Sequence, residues 1–279
     1  ATVDDALNLL SLGTGADVSG GVIENVEALT LSSGASVHLS AAQNQGFTGM
    51  ITAPGTGAGG ETVLITGDGA VTTLAEIENY IIGDESSDAR TVTVTQPDTN
   101  VTVASNTDAV TFDVGAQNYT GTITGEATVS DTLSLDTGAD VSDSAITNVD
   151  ALTLASGASV RMTAQQNQNF TGAIIAPGIG INGETITING NGGVTTLAHI
   201  ENYSIEDDST NVRAVTIIQT NTNVTATSNT DAVTFDVGTQ TYTGTITGDS
   251  TVNDTLILDN GADVSGGAIV HVDALTLAS

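Results

Sequence analysis

Apolar and polar residues alternate in short runs along this chain. Ala28–Leu31, Thr62–Ile65, Thr91–Thr95, Val110–Val114 and Thr132–Leu135 place an apolar side chain at about every second position, the period of a strand with one buried face. Each run closes on turn formers: Ser33-Gly34, Gly67-Asp68-Gly69, Pro97-Asp98-Thr99-Asn100, Gly115 and Thr137-Gly138. The runs start 19 to 34 residues apart, the wider gaps leave room for further strands, and no helical stretch is evident between them. The pattern predicts the coils of a parallel β-solenoid. At roughly 20 residues per coil and about 4.8 Å of rise each, the chain would form a rod on the order of 60–70 Å long.

The apolar pattern itself repeats. Val26-Glu27-Ala28-Leu29-Thr30-Leu31 returns 123 residues later as Val149-Asp150-Ala151-Leu152-Thr153-Leu154, and again as Val272-Asp273-Ala274-Leu275-Thr276-Leu277. Residues 4–126 align with 127–249 without a gap, which sets a first copy over 1–126, a second over 127–249 and the start of a third over 250–279. Smaller echoes lie inside each copy. Ile23/Val26/Leu29/Leu31 is matched by Leu74/Ile77/Tyr80/Ile82, and Gln45-Gly46-Phe47-Thr48-Gly49 by Gln117-Asn118-Tyr119-Thr120-Gly121, as if the copy were an old duplication of smaller turns. A string of β-sandwich domains, one per copy, is the rival arrangement. Against it stand the internal echoes and the lack of a Pro-rich or charged linker at the copy boundaries. The expectation is a solenoid running through the copies without linkers, cut from a longer array.

Composition narrows the interior. Aromatics make up 3% of the residues and Cys and Trp are absent, so the core must be built from Val, Ile, Leu and Ala, which suits closely stacked strands. Charge narrows the partners. Thirty-three acidic side chains stand against three arginines (Arg90, Arg161, Arg213) and no lysine, for a net charge of −30. Such a surface repels nucleic acid and anionic lipid. Relief through bound cations, high external salt or an extended shape points outside the cell. No run reaches the length of a membrane span.

Thr137-Gly-Ala-Asp-Val-Ser142, Asn148–Val160 and Asn169-Phe-Thr-Gly-Ala-Ile174 resemble the repeat regions of very large secreted bacterial surface proteins: repeats-in-toxin type adhesins, S-layer-like proteins and extracellular filament proteins. The resemblance covers the whole chain. It implies export to the bacterial cell surface, calcium-dependent folding and a role in the cell coat or in attachment. The calcium nonapeptide of that family, Gly-Gly-x-Gly-x-Asp-x-apolar-x, is met only in part. Gly13-x-Gly15-x-Asp17 keeps the centre but has Ser19 at the apolar place, and the later copies put Asp136 and Asp259 where the leading glycine belongs.

Calcium takes six to eight oxygens, which Asp/Asn/Gly turns can present. The candidate ligands are Asp136, Asp140 and Asp143 with their counterparts Asp17, Asp259 and Asp263. A second group is the acidic loop holding Asp84 and Asp88, matched by Glu206-Asp207-Asp208. The alternative is that all of these are turn residues or solvated charges. Gly55-x-Gly57-x-x-Gly60 and Gly178-x-Gly180-x-x-Gly183 spell a dinucleotide fingerprint, but each runs on into strand-like residues rather than a helix. His38, His199 and His271 face Arg161, Glu76 and Asn148 in the alignment of the copies and read as solvated. The eight aromatics pair across the copies (Phe47/Phe170, Phe112/Phe235, Tyr80/Tyr203, Tyr119/Tyr242), as core plugs or, alternatively, a sugar-stacking platform. Arg90 and Arg213 are placed to neutralise Asp84 and Asp207 or, alternatively, to bridge to an acidic neighbour molecule.

These readings converge on a structural repeat segment of an extracellular assembly such as an S-layer, sheath, filament or adhesin stalk. It is expected to be non-enzymatic, to associate with itself, and to use cell-surface polysaccharide as a further partner. A glycan- or surface-binding adhesin module is the alternative, and a polysaccharide-active β-helix enzyme the third.

Overall fold

A computed structural model describes residues 8–56, 59–83, 89–104, 108–178, 183–206, 213–227 and 231–278. The strands are short and every pairing between neighbouring coils is parallel. The fold is the expected β-solenoid. Parallel pairing between successive coils rules out the sandwich, which is built from antiparallel neighbours. Two compact units divide the chain. Unit 1 takes residues 1–115, 119–133 and 144–149, and unit 2 takes 116–118, 134–143 and 150–279.

In unit 1 the chain alternates between a front and a back sheet. The back sheet stacks Ala16–Asp17, Ser36–Ser40, Thr62–Thr66, Asn79–Gly83, Asn100–Ala104, Thr122–Thr124 and Ala145–Thr147 in sequence order. Its register builds straight columns. Val37, Val63, Tyr80, Val101, Ile123 and Ile146 lie one above another, as do Leu39, Ile65, Ile82 and Val103, all buried. The intervening residues form outward columns such as Thr102, Thr124 and Thr147. Alternation in the sequence therefore becomes inside and outside in the coil.

The front sheet of unit 1 is broken. Leu9–Leu12, Ala28–Leu31 and Ile51–Thr52 form one stack, and Val71–Thr72 begins another with Arg90–Thr93 and Val110–Gly115. Beside the break sits a helix, α1 (Ala41–Gly46). Its side chains stand in for the missing strand: Asn44 Nδ2 donates to Thr72 O at 2.8 Å and Gln45 Nε2 to Ala70 O at 3.1 Å. The sequence expectation of no helix is thus corrected. The signal was local, because Ser40 and Gln43 form a capping box in which each side chain bonds the other's backbone amide.

Unit 2 repeats this plan. Its back sheet stacks Ser159–Thr163, Thr185–Asn189, Asn202–Glu206, Asn223–Thr227, Thr245–Thr247 and Ala268–Val270. Ala151–Leu154 pairs Ile174–Ile175 at the front, and beyond a break Val194–Thr195 starts the stack of Arg213–Thr216, Val233–Asp236, Thr255–Leu258 and Ala274–Leu277. The helix α2 (Ala164–Asn169), capped by Thr163 and Gln166, covers that break through Asn167 Nδ2 to Thr195 O (2.8 Å) and Gln168 Nε2 to Gly193 O (2.5 Å).

The small echoes mark a corner rather than a coil. Ile23/Val26/Leu29/Leu31 leads into front strand 28–31, whereas Leu74/Ile77/Tyr80/Ile82 leads into back strand 79–83. What the two share is a left-handed residue just before the second apolar position: Asn25 has φ 58° and Glu76 φ 62°. Asn148, His199 and His271 hold the same conformation at φ 54°, 65° and 51°. The echo thus marks a shared bend that serves either face.

Candidate functional site

The aspartates expected to bind calcium are dispersed in small turns. Asp17 accepts Ser19 N (3.1 Å) and Ser19 Oγ (2.6 Å), and Asp140 accepts Ser142 N (2.9 Å) and Oγ (2.6 Å). Asp263 accepts Ser265 N at 2.9 Å. The serine hydroxyl and amide hold the carboxyls of Asp17 and Asp263 below their usual range. The basic neighbours differ: His38 Nδ1 stands 3.8 Å from Asp17, while Arg161 lies 3.6 Å from Asp140 and 2.5 Å from Glu206. Asp136, Asp143 and Asp259 do not join them. Among the described residues no three His, Cys, Asp or Glu side chains come together in a group that could hold a metal ion. Asx-type turns engage Asp17, Asp140 and Asp263 through serine and, at Asp140, a guanidinium stands beside the carboxylate as well. Asp84, Asp88, Asp207 and Asp208 lie outside the described residues, so the proposed pairing of Arg90 and Arg213 with the acidic loops does too. Arg90 and Arg213 are buried and donate from Nη2 to Gly67 O and Gly190 O.

All eight aromatics are buried, at 4% exposure or less. A sugar-stacking platform built from them is therefore withdrawn. Tyr80 and Tyr203 donate their hydroxyls to Asn44 Oδ1 (3.2 Å) and Asn167 Oδ1 (3.1 Å) and accept the amides of Leu74 and Leu197. Tyr119 and Tyr242 donate to Thr99 O and Thr222 O at 2.6 Å. Burial pushes all four phenols well above their ordinary value, so they remain neutral. Asn100 and Asn223, the Asn-x-Thr asparagines, are likewise committed. Asn100 Nδ2 donates to Asn79 Oδ1 and its own Oδ1 accepts Thr122 N, each at 3.0 Å, and Asn223 repeats this between Asn202 and Thr245.

The densest chemistry lies where the sequence showed only a false fingerprint. The carboxylate of Glu61, 0% exposed, accepts Gly55 N on both oxygens (2.9 Å each) and Gly34 N at 3.2 Å. Glu78, one coil on, accepts Glu61 N on Oε2 at 3.0 Å, which brings its carboxyl group close to that of Glu61. The glycines exist for this approach. A Cβ on Gly55 would sit 2.3 Å from Glu61 Oε2, and one on Gly60 2.3 Å from Glu78 Oε2. Gly57 and Gly180 fall outside the described residues. Unit 2 reproduces the arrangement: Glu184, 0% exposed, accepts Gly178 N (2.7 and 2.9 Å) and Gly157 N (3.0 Å), and Glu201 accepts Glu184 N at 3.3 Å. Burial first, and the neighbouring carboxyl second, raise Glu78 and Glu201 above the ordinary glutamate value.

A second carboxylate corner is simpler. Asp131 accepts Val110 N and Glu126 N, each at 2.7 Å, and Asp254 accepts Val233 N (2.6 Å) and Asp249 N (2.7 Å). None of these six corner acids stands out in the sequence as a candidate site. The available signal was the identity of Glu61/Glu184 and Glu78/Glu201 across the copies, while the acidic loop drifts from Asp-Glu-Ser-Ser-Asp to Asp-Asp-Ser-Thr-Asn. Comparison of the chain with protein-family models, with curated proteins and with solved structures finds no match.

Proposed function

We propose that this chain is a structural repeat segment of an extracellular bacterial surface assembly, a layer, sheath, filament or stalk that associates with itself. The observation that carries this reading is where chemistry is kept between the copies and where it is let go. Side chains that tie coil to coil recur unchanged: Glu61/Glu184, Glu78/Glu201, Asn44/Asn167, Tyr80/Tyr203 and Asn100/Asn223. Positions that face solvent change between the copies, as half-buried His38 to Arg161 and exposed Glu76 to His199 do. A scaffold has that distribution; a recognition or catalytic surface has the reverse. Secretion accords with the absence of lysine and the charge of −30, which cations outside the cell would screen.

Backbone ladders and aliphatic columns make each unit stiff, and the outer strands of a coil stack carry unpaired edges through which copies can join. Electron microscopy of the purified chain over a concentration series, with calcium and with a chelator, tests the reading. Fibres or sheets that thin out on chelation or in dilute salt are expected. Single particles at every concentration and in both conditions overturn it.

A further inference from the structure

We propose that the Glu61–Glu78 and Glu184–Glu201 pairs are proton-operated clamps, each locking three successive coils together when it holds one proton and loosening them when it is fully ionised. The three coils are tied through named atoms. In unit 1 the amide of Gly34 belongs to the first, Gly55 and Glu61 to the second and Glu78 to the third. One carboxyl must carry a proton for the two to hydrogen-bond each other, and Glu78 is the natural holder. Burial and the neighbouring carboxyl raise Glu78, which accepts Glu61 N, while the Glu61 carboxyl is taken up by the amides of Gly34 and Gly55. As an acid, Glu78 donates O–H to Glu61 while its other oxygen keeps the amide of Glu61. With the proton gone, two anions stand side by side against the Gly55 and Gly60 backbone.

Around the clamp the charged neighbours are few. Among the described residues, Glu61 is the charged side chain beside Glu78, and Glu184 the one beside Glu201. Glu76 and His199, two residues upstream, are exposed at their left-handed bends. The direction of the pH effect follows. A carboxyl that binds its proton more tightly when folded gives its full stabilisation below the ordinary value of 4.5 and loses it as pH rises through the raised folded value. The clamp is therefore closed in mild acid and weakened at neutral and alkaline pH. Identical placement in both units doubles the response.

The test is urea unfolding of the full chain from about pH 5 to about pH 8 in high salt, where surface repulsion is screened. The parent is compared with Glu78→Gln/Glu201→Gln, whose amides copy the protonated acid's donor and acceptor at every pH. A control, Asp136→Asn/Asp143→Asn, removes two charges from exposed positions. The expected result is a midpoint that falls with pH in the parent and the control, and a clearly shallower fall in the glutamine variant, which is the most stable of the three at the alkaline end. Equal slopes in all three overturn the clamp. So does a parent restored at alkaline pH by calcium while the glutamine variant stays unmoved, because the pair would then hold a cation. Should the glutamine variant not fold, carbon-13 NMR titration of the glutamate carboxyls in the parent decides. Two groups protonating above the ordinary range support the clamp, and none doing so overturns it.

Discussion

The buried acids at the corners and the exposed acids in the turns began as the same residue types in the same glycine-rich settings, yet the coil uses them in opposite ways. Glu61 and Glu184 each gather amides from two neighbouring coils and are identical in environment between the units. Asp17 and Asp140 bond mainly to a serine two residues on, and what faces them is histidine in one case and arginine in the other. The difference teaches that an acid in this fold is structural when it reaches across coils and incidental when it folds back on its own turn. Net charge alone does not separate the two classes.

The sharpest way to break that comparison is to truncate one member of each. Glu184→Ala leaves the amides of Gly157 and Gly178 without their acceptor in a buried corner and is expected to cost about 3 kcal/mol. Asp140→Ala, at the surface beside Arg161, is expected to change stability by no more than about 0.5 kcal/mol. Urea midpoints of the two variants against the parent decide, and equal losses would remove the distinction. Glycine gives a second, smaller contrast. Gly55→Ala forces a Cβ against Glu61 and the Gly60 backbone and is expected to cost about 2 kcal/mol, whereas Gly13→Ala, with nothing within 4 Å, should be close to neutral.

Much of the coil was legible because its signals are local. Alternation at Ala28–Leu31 and Thr132–Leu135 matched the observed strands end to end, and the other three runs came within two residues. The two helices were missed because six residues carry too little periodicity to show as an amphipathic stripe, although the capping boxes at Ser40/Gln43 and Thr163/Gln166 were there to be read. The acid corners were hidden for a deeper reason. Glu61 meets Gly34 from 27 positions away and Glu78 from 17, and no local rule links residues at those distances until the number of residues in each coil is known. The turn aspartates were legible for the converse reason. Their spacing is a local turn pattern, and a local turn satisfied it.

Between these extremes stand the helix asparagines. Asn44 bonds Thr72 O and the Tyr80 hydroxyl, so it performs across the broken front sheet what a backbone amide performs elsewhere. Asn44→Ala is expected to cost about 1–2 kcal/mol and to expose the open edge of strand 71–72. Hydrogen exchange should show faster loss of protection at residues 71–73 than at the back strand 79–83. Uniform loss across both sheets would mean that the helix supports the whole coil rather than the break.

The smallest effect tests the bends. Asn25 and Asn148 hold the left-handed conformation with the side chain that tolerates it best after glycine, His199 and His271 with one that tolerates it less well, and Glu76 against its preference. If the bend is fixed by the coil and the residue merely endures it, Glu76→Asn and His199→Asn should each stabilise by about 0.5–1 kcal/mol, and their glycine counterparts by a similar or smaller amount because glycine also loosens the unfolded chain. Thermal melts of the single and double asparagine variants measure this, with additivity expected because the two bends belong to different units. A loss instead of a gain would mean that Glu76 and His199 contribute contacts of their own, and the exposed positions that vary between the copies would then have to be read as selected for a partner rather than released from one.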